Sequence, residues 1–380
     1  MRVKENMKYN KIGLFNLTLF FLIVIGELQK AYIFSNSESY NIFADFMQLT
    51  LYGALLYCIL QKGYTSKQLL AFTAVGALLL YGYMKSGQAA YFRAFLLIIA
   101  AKDIPFKKIV RTCRYAITST LVFIVLLWIF RISDSGVGRR GKFSFGYVHP
   151  NIVAQVVMII MLLYLAEKGE KIKITDYIIF ETVAVATLLF TGSKAAVIVI
   201  AMAPILISFF KWYVARKNSK IGNTIIECSQ ILVIAFTLWS AKMLPYSSSL
   251  KKLDLMFTNR IFLNYYQFNK YPLTLFGKNV DLHEPGGAYN NIQNFWAVIT
   301  CDCTYTMSLI IMGIIPTALF AIAYICLIKK AIKTKDYTVI AIAILLALYA
   351  FFESQLVEIY NNFIFFYIYA KNSERMGKLR

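Results

Sequence analysis

Two polar stretches interrupt an otherwise apolar chain, and both carry residues suited to handling anions. The first reads Gly138-Arg139-Arg140-Gly141-Lys142-Phe143-Ser144-Phe145-Gly146-Tyr147-Val148-His149-Pro150-Asn151. Pro150 suits the first turn of a helix, where its missing N–H leaves no bond unmade. His149 or Asn151 then stands at a helix mouth, where unpaired backbone N–H groups attract negative charge. Arg139 and Arg140 add planar forks that grip phosphate through paired hydrogen bonds. The second stretch runs from Thr258-Asn259-Arg260-Ile261 through Tyr271-Pro272-Leu273-Thr274-Leu275-Phe276-Gly277 and His283 to Asp302-Cys303-Thr304-Tyr305. Arg260 is a further fixed cation. His283 has an ordinary pKa near neutrality and suits proton transfer. Asp302 either caps the helix that follows or faces a site as base or acceptor. Thr191-Gly192-Ser193-Lys194 reads as a tight turn that leaves Lys194 at a membrane boundary, as an anion contact or a snorkelling side chain. Glu353 is an ionisable group in apolar surroundings, where such residues are functional or paired.

The elements that must hold these residues are membrane helices. The chain has 380 residues and is 59% hydrophobic, with mean hydropathy +0.60. Its long continuous apolar runs, separated by short polar turns, predict an all-α polytopic membrane protein and exclude the alternating pattern of a β-barrel. The hydropathy pattern predicts twelve spans, at roughly 13–33, 42–61, 68–84, 88–101, 115–131, 150–166, 175–191, 195–213, 225–244, 303–328, 337–355 and 358–370. The basic N-terminus runs into the first of these without a cleavage site, so a retained helix is expected. Residues 1–380 read as one polytopic domain with two long excursions, 132–149 and 245–302; the longer holds aromatic stretches suited to short amphipathic helices. No internal repeat is seen.

Charge sets the orientation. An even span number puts both termini on one side. About two thirds of the 40 basic residues then fall with the termini, including Lys62, Lys102, Lys168, Lys217 and Lys329. That side is the cytoplasm by the positive-inside rule. The net charge of +21 therefore reads as inner-leaflet charge against anionic lipid, with no nucleic-acid partner. The arginines and lysines of the two excursions break the rule. Cations held outside against the orientation signal point to an anionic ligand there. The outer loops have no acidic cluster suited to Mg²⁺, and the six cysteines make neither a disulfide framework nor a zinc site. No metal and no cofactor are expected.

In their order and spacing, these pieces resemble the Wzy-type polysaccharide polymerases of bacterial cell membranes, in the superfamily shared with O-antigen ligases. The pieces are Phe145 to Asn151, Thr191-Gly192-Ser193-Lys194, Asn259-Arg260-Ile261, Tyr271-Pro272-Leu273 with Phe276-Gly277, and Asp302 to Tyr305 followed by Gly313-Ile314-Ile315. Glu353 fits a late acidic position. Lys194 stands where the family often has Arg, and Cys303 where Asn often follows the Asp. The resemblance covers roughly residues 100–360. It implies inverting, metal-independent glycosyl transfer on the outer face of the bacterial cell membrane. Donor and acceptor would be oligosaccharide repeat units on undecaprenyl pyrophosphate, and the product a capsule, O-antigen or exopolysaccharide. Arg260 would stabilise the leaving pyrophosphate, with Arg139, Arg140, Lys194, His149 and Asn151 in support. His283 or Asp302 would take the acceptor proton, and Glu353 and Tyr305 would assist. Partners would be membrane lipid, a flippase and a chain-length regulator of the same pathway. The competing expectations are an O-antigen ligase acting on another acceptor, a flippase or transporter with Arg93 and Glu181 near its midplane, and a membrane scaffold.

Overall fold

The computed structural model describes residues 2–35, 37–134, 142–169, 171–216, 219–282, 284–285 and 298–371. Helices α1 (Arg2–Leu28) and α2 (Tyr32–Ser35) lead into α3 (Glu38–Leu60), α4 (Ser66–Ser86), a short α5 (Ala90–Ala100) and α6 (Phe106–Ile129). Next come α7 (Pro150–Lys168), α8 (Ile174–Thr191), α9 (Lys194–Arg216), α10 (Lys220–Glu227) and α11 (Ser229–Met243). The long excursion carries α12 (Ser248–Met256), α13 (Arg260–Lys270) and a small antiparallel ladder of β1 (Glu284–Pro285) on β2 (Val298–Ile299). The chain returns through α14 (Thr304–Met307), α15 (Ile314–Thr334) and α16 (Tyr337–Tyr349).

Among the described residues, seven helices are long and apolar enough to cross a bilayer, and eight if the α10–α11 pair, bent by 59°, counts as one span. The chain is a multi-pass membrane protein. The expected twelve spans are not reached. Two of them correspond to apolar helices too short for a full crossing: Ala90–Ala100 and Tyr337–Tyr349. The last expected span, 358–370, is not an α-helix but turns and a 3₁₀ helix, Phe363–Ile368. Asn361 and Asn362 donate their side-chain amides to the carbonyls of Gln355 and Leu356, at 3.0 and 3.4 Å. Such local bonds compete with helical ones. Irregular backbone is tolerated here because the segment is buried in protein, with Phe363, Ile364, Phe365 and Phe366 all inaccessible.

The loops expected on one side meet at one end of the bundle. Lys62 donates to the Lys102 carbonyl and Lys102 to that of Gly63, while Lys371 bridges Pro105. Lys330 ties the C-terminal segment down by donating to the carbonyls of Tyr367, Ile368 and Ala370 at 2.6, 3.1 and 2.8 Å. Arg111 and Arg114, in the first turns of α6, both pair with Glu167 in the last turn of α7. Helix α7 therefore starts at the opposite end, where His149 and Asn151 lie.

The expected span at 303–328 is broken. Helix α14 passes into one π-helical turn, Ser308–Met312, stops at Gly313, and restarts as α15. The segment from Leu273 to Lys278 fills the break. Ile314 N–H donates to Thr274 O at 3.0 Å, Ile315 N–H to Leu275 O at 2.9 Å, and Lys278 N–H to Ile311 O at 3.1 Å. The loop thus satisfies the first N–H groups of α15, which lack partners within the helix. Gly277 (φ 73°) and Gly313 (φ 96°) touch backbone to backbone. A Cβ on Gly277 would overlap the Ile311 carbonyl, and one on Gly313 would overlap the Gly277 amide. Phe276-Gly277 and Gly313-Ile314-Ile315, two separate pieces of sequence, interlock at this point. Gly277→Ala and Gly313→Ala are each expected to abolish the monodisperse protein peak on size-exclusion chromatography in detergent. Gly63→Ala, with open space around that position, should elute as the parent does. Parent-like profiles for all three would show that the two segments are not locked together.

Candidate functional site

The site is built around the first residue of α13. Thr258 and Asn259 lie in the left-handed region, at φ 55° and 63°, so the chain turns sharply into Arg260. Asn259 suits that conformation but makes no side-chain cap. Buried Asp254, from the last turns of α12, caps the helix instead. Its Oδ1 accepts from the N–H groups of Ile261 and Phe262 at 2.8 and 3.1 Å, and its carbonyl accepts from Asn259 N–H at 2.8 Å. Burial raises the Asp254 carboxyl, and these two backbone N–H groups pull it back down. The caps of α12 and α13 therefore fix where the Arg260 side chain begins.

The Arg260 guanidinium reaches two carboxylates. Its Nη1 pairs with Asp302, and its Nη2 lies 3.7 Å from Glu353 Oε1. The Asp302 contact is a close ion pair. The Glu353 contact exceeds hydrogen-bond length, so that edge of the fork is not saturated. Asp302 also accepts from the Thr300 hydroxyl at 3.1 Å and does not cap the following helix, whose N-cap is Cys303. Glu353 lies past the end of α16, where Asn151 Nδ2 donates to its Oε1 at 3.3 Å. Thr304 locks this corner: its N–H donates to Ala350 O at 2.8 Å, and its hydroxyl to the Glu353 carbonyl. The three side chains are only 14% (Arg260), 29% (Asp302) and 12% (Glu353) exposed.

The helix mouth of α7 completes the cluster. Pro150 is the first helical residue, as expected, and His149 is the N-cap. His149 Nδ1 accepts from Asn151 N–H at 3.1 Å, which requires a neutral ring protonated at Nε2. Burial, and then the positive charge of Arg260, push the His149 imidazole below its ordinary range and favour that neutral form. Burial pushes the Glu353 carboxyl up to about 7, against the opposing pull of Arg260. At neutral pH the cluster therefore holds one cation, one paired carboxylate, and a second carboxyl poised to gain or lose a proton.

The expected site residues separate into three groups. Arg260, Asp302, Glu353, Asn151 and His149 come together. Tyr305 does not join them: it is buried and donates its hydroxyl to Ala347 O at 2.7 Å, which anchors α14 to α16. Lys194, the first residue of α9, is exposed. Beside it, Lys142 donates to Leu189 O at 3.0 Å and lies against Gly192, so the end of the first loop rests on the Thr191–Lys194 turn. Arg139, Arg140 and His283 lie outside the described residues. Asp254 and Thr304 were not picked out from sequence. An acidic residue six positions before the arginine, followed by the left-handed-tolerant Asn259, is the signal that marks the first; nothing local marks the second.

Comparison with protein-family models, with curated proteins and with solved structures finds no match for this chain.

Asp254→Ala removes a buried acceptor of two backbone N–H groups. It is expected to destabilise the protein by about 1–3 kcal/mol, read as a lowered melting temperature in detergent, with Asp254→Asn intermediate. An unchanged melting temperature for Asp254→Ala would remove Asp254 as the cap of α13.

Proposed function

We propose that this chain is a glycosyltransferase that joins lipid-pyrophosphate-linked oligosaccharides on the outer face of a bacterial membrane, as a polysaccharide polymerase. The observation that carries the reading is the convergence of His149, Asn151, Arg260, Asp302 and Glu353, from four separate segments, at the end of the bundle opposite the lysine-rich loops. These are the positions that the resemblance to Wzy-type polymerases implicates.

In this reading the acceptor hydroxyl attacks the anomeric carbon from the face opposite the pyrophosphate. The glycosidic C–O bond breaks, and its electron pair leaves with the lipid pyrophosphate. Arg260 answers the charge that grows on that leaving group, through the fork edge that Glu353 approaches but does not saturate. Asp302 fixes the other edge of the fork. Glu353, ionised above a pH of about 7, is the base that takes the proton the attack releases. Lys194, Lys142, Arg139 and Arg140 supply the outer electrostatic field that draws the substrate in.

The O-antigen-ligase reading uses the same chemistry with another acceptor. The transporter reading draws on one specific observation, an Arg93–Glu358 pair inside the bundle. Glycan size separates the three. Loss of the gene should collapse long surface glycan to single repeat units for a polymerase. It should leave long chains on the lipid carrier for a ligase, and trap units on the inner face for a transporter.

Arg260→Ala is expected to cut polymer at least about 100-fold at unchanged protein level, measured by gel analysis of surface glycan. Arg260→Lys should also be poor, because a point charge does not replace a planar fork. Normal polymer from Arg260→Ala would end this mechanism. Turnover of the parent should rise as pH passes upward through about 7, where Glu353 loses its proton. Glu353→Gln should be slow and lack that limb of the pH profile. A retained limb in the variant would take the base role away from Glu353.

A further inference from the structure

A second polar cluster lies beside the first, in no motif named above. Helix α5 has 11 residues, about 16 Å at the usual rise, too short to cross a bilayer of about 30 Å. Its first turn carries Arg93, which pairs with Glu358. The two side chains remain 28% and 24% exposed, so the pair is partly accessible and not sealed in the core. Tyr52 of α3 bonds to Arg93, and Tyr360 lies within electrostatic reach of Arg93, Glu358 and Glu27. Above them, Lys30 pairs with Glu27 and lies 5.3 Å over the Tyr360 ring.

Three observations point to a ligand here. Ionisable pairs inside a membrane bundle are costly and are retained mostly for function. Among the described residues, Arg93 Nε and Glu27 Oε2 are buried without a hydrogen-bond partner, which is unfavourable unless something answers them. Finally, Glu358 is joined to Glu353 of the first cluster by one 3₁₀ turn, Ser354–Val357. At about 2 Å per residue, the Cα atoms of the two residues are on the order of 10 Å apart along the chain, the scale of one or two sugar rings.

We propose that this partly exposed cluster is a carbohydrate site that holds the sugar of the acceptor unit while the Arg260 cluster holds the donor. The proposal rests on the glycosyl-transfer reading above. A sugar hydroxyl is donor and acceptor at once. Carboxylates that accept, a guanidinium and an ammonium that donate, and tyrosine rings with apolar faces and polar tips match it. A purely anionic ligand would meet Glu358 and Glu27. Through the Ser354–Val357 turn, a sugar seated here would bring its hydroxyl toward Glu353.

The test uses the full chain in nanodiscs and, as probe, the repeat-unit oligosaccharide released from its lipid by mild acid. Saturation-transfer NMR should detect binding to the parent and to Arg260→Ala, with at least a tenfold loss in Arg93→Gln and Tyr52→Phe. A charge swap, Arg93→Glu with Glu358→Arg, separates a ligand site from a structural pair. The swap should recover the parent melting temperature but recover neither binding nor long polymer in cells. Parent-level polymer from the swap, or undiminished binding in Arg93→Gln and Tyr52→Phe, would overturn the proposal, as would displacement of the oligosaccharide from Arg260→Ala by inorganic pyrophosphate. Lost binding in Arg93→Gln beside normal polymer in Arg260→Ala would keep the sugar site and sink the catalytic reading instead.

Discussion

The arrangement of the bundle end opposite the lysine-rich loops follows from one constraint: a guanidinium mostly removed from water needs its charge answered. Removing one partner from a buried ion pair is strongly unfavourable, because the other charge is left unanswered. Arg260 meets this with a close pair to Asp302 and a looser approach to Glu353. That requirement draws together the start of α13, the end of the long excursion and the turn after α16. Asn151 adds the mouth of α7 through the same Glu353 oxygen. The supporting contacts can be understood as means to hold that geometry. Asp254 fixes the root of Arg260, Thr304 fixes the backbone of Glu353, and the Gly277–Gly313 lock fixes the excursion against α15.

Much of this was legible in the sequence. The hydropathy pattern gave the membrane class and most of the long helices, because an apolar run of about 20 residues has few alternatives. The cap at Pro150, the tight turn at Gly192 and the helix α13 of the excursion followed from local residue chemistry, whereas α12 did not. The site residues Arg260, Asp302, Glu353, His149 and Asn151 were also on the page as residues, though not their pairing. What was hidden depends on tertiary partners. Segment 358–370 is apolar enough to suggest a helix, yet Asn361 and Asn362 bond locally and the surrounding protein shelters an irregular backbone. The break at Gly313 is stable only because residues 274–278 arrive from the excursion to satisfy it. Tyr305 resembles a site residue by its position and is turned away by its bond to Ala347.

The two polar clusters gather different elements of the bundle. One joins the excursion to α16 and holds a cation with a spare edge. The other joins α1, α3 and α5 to the C-terminal segment, around a partly exposed ion pair. The short turn Ser354–Val357 is the covalent link between them. If the chain joins two glycans, as proposed, it needs two such places at a fixed separation, and rigid backbone between them sets that separation more surely than mobile side chains do.

The most direct measurement is reconstitution. The purified chain in liposomes, supplied on its outer face with lipid-linked repeat units and nothing else, is predicted to produce a ladder of longer lipid-linked glycans with release of free lipid pyrophosphate. Units that stay single, or that move across the bilayer with no new glycosidic bond, would contradict the account.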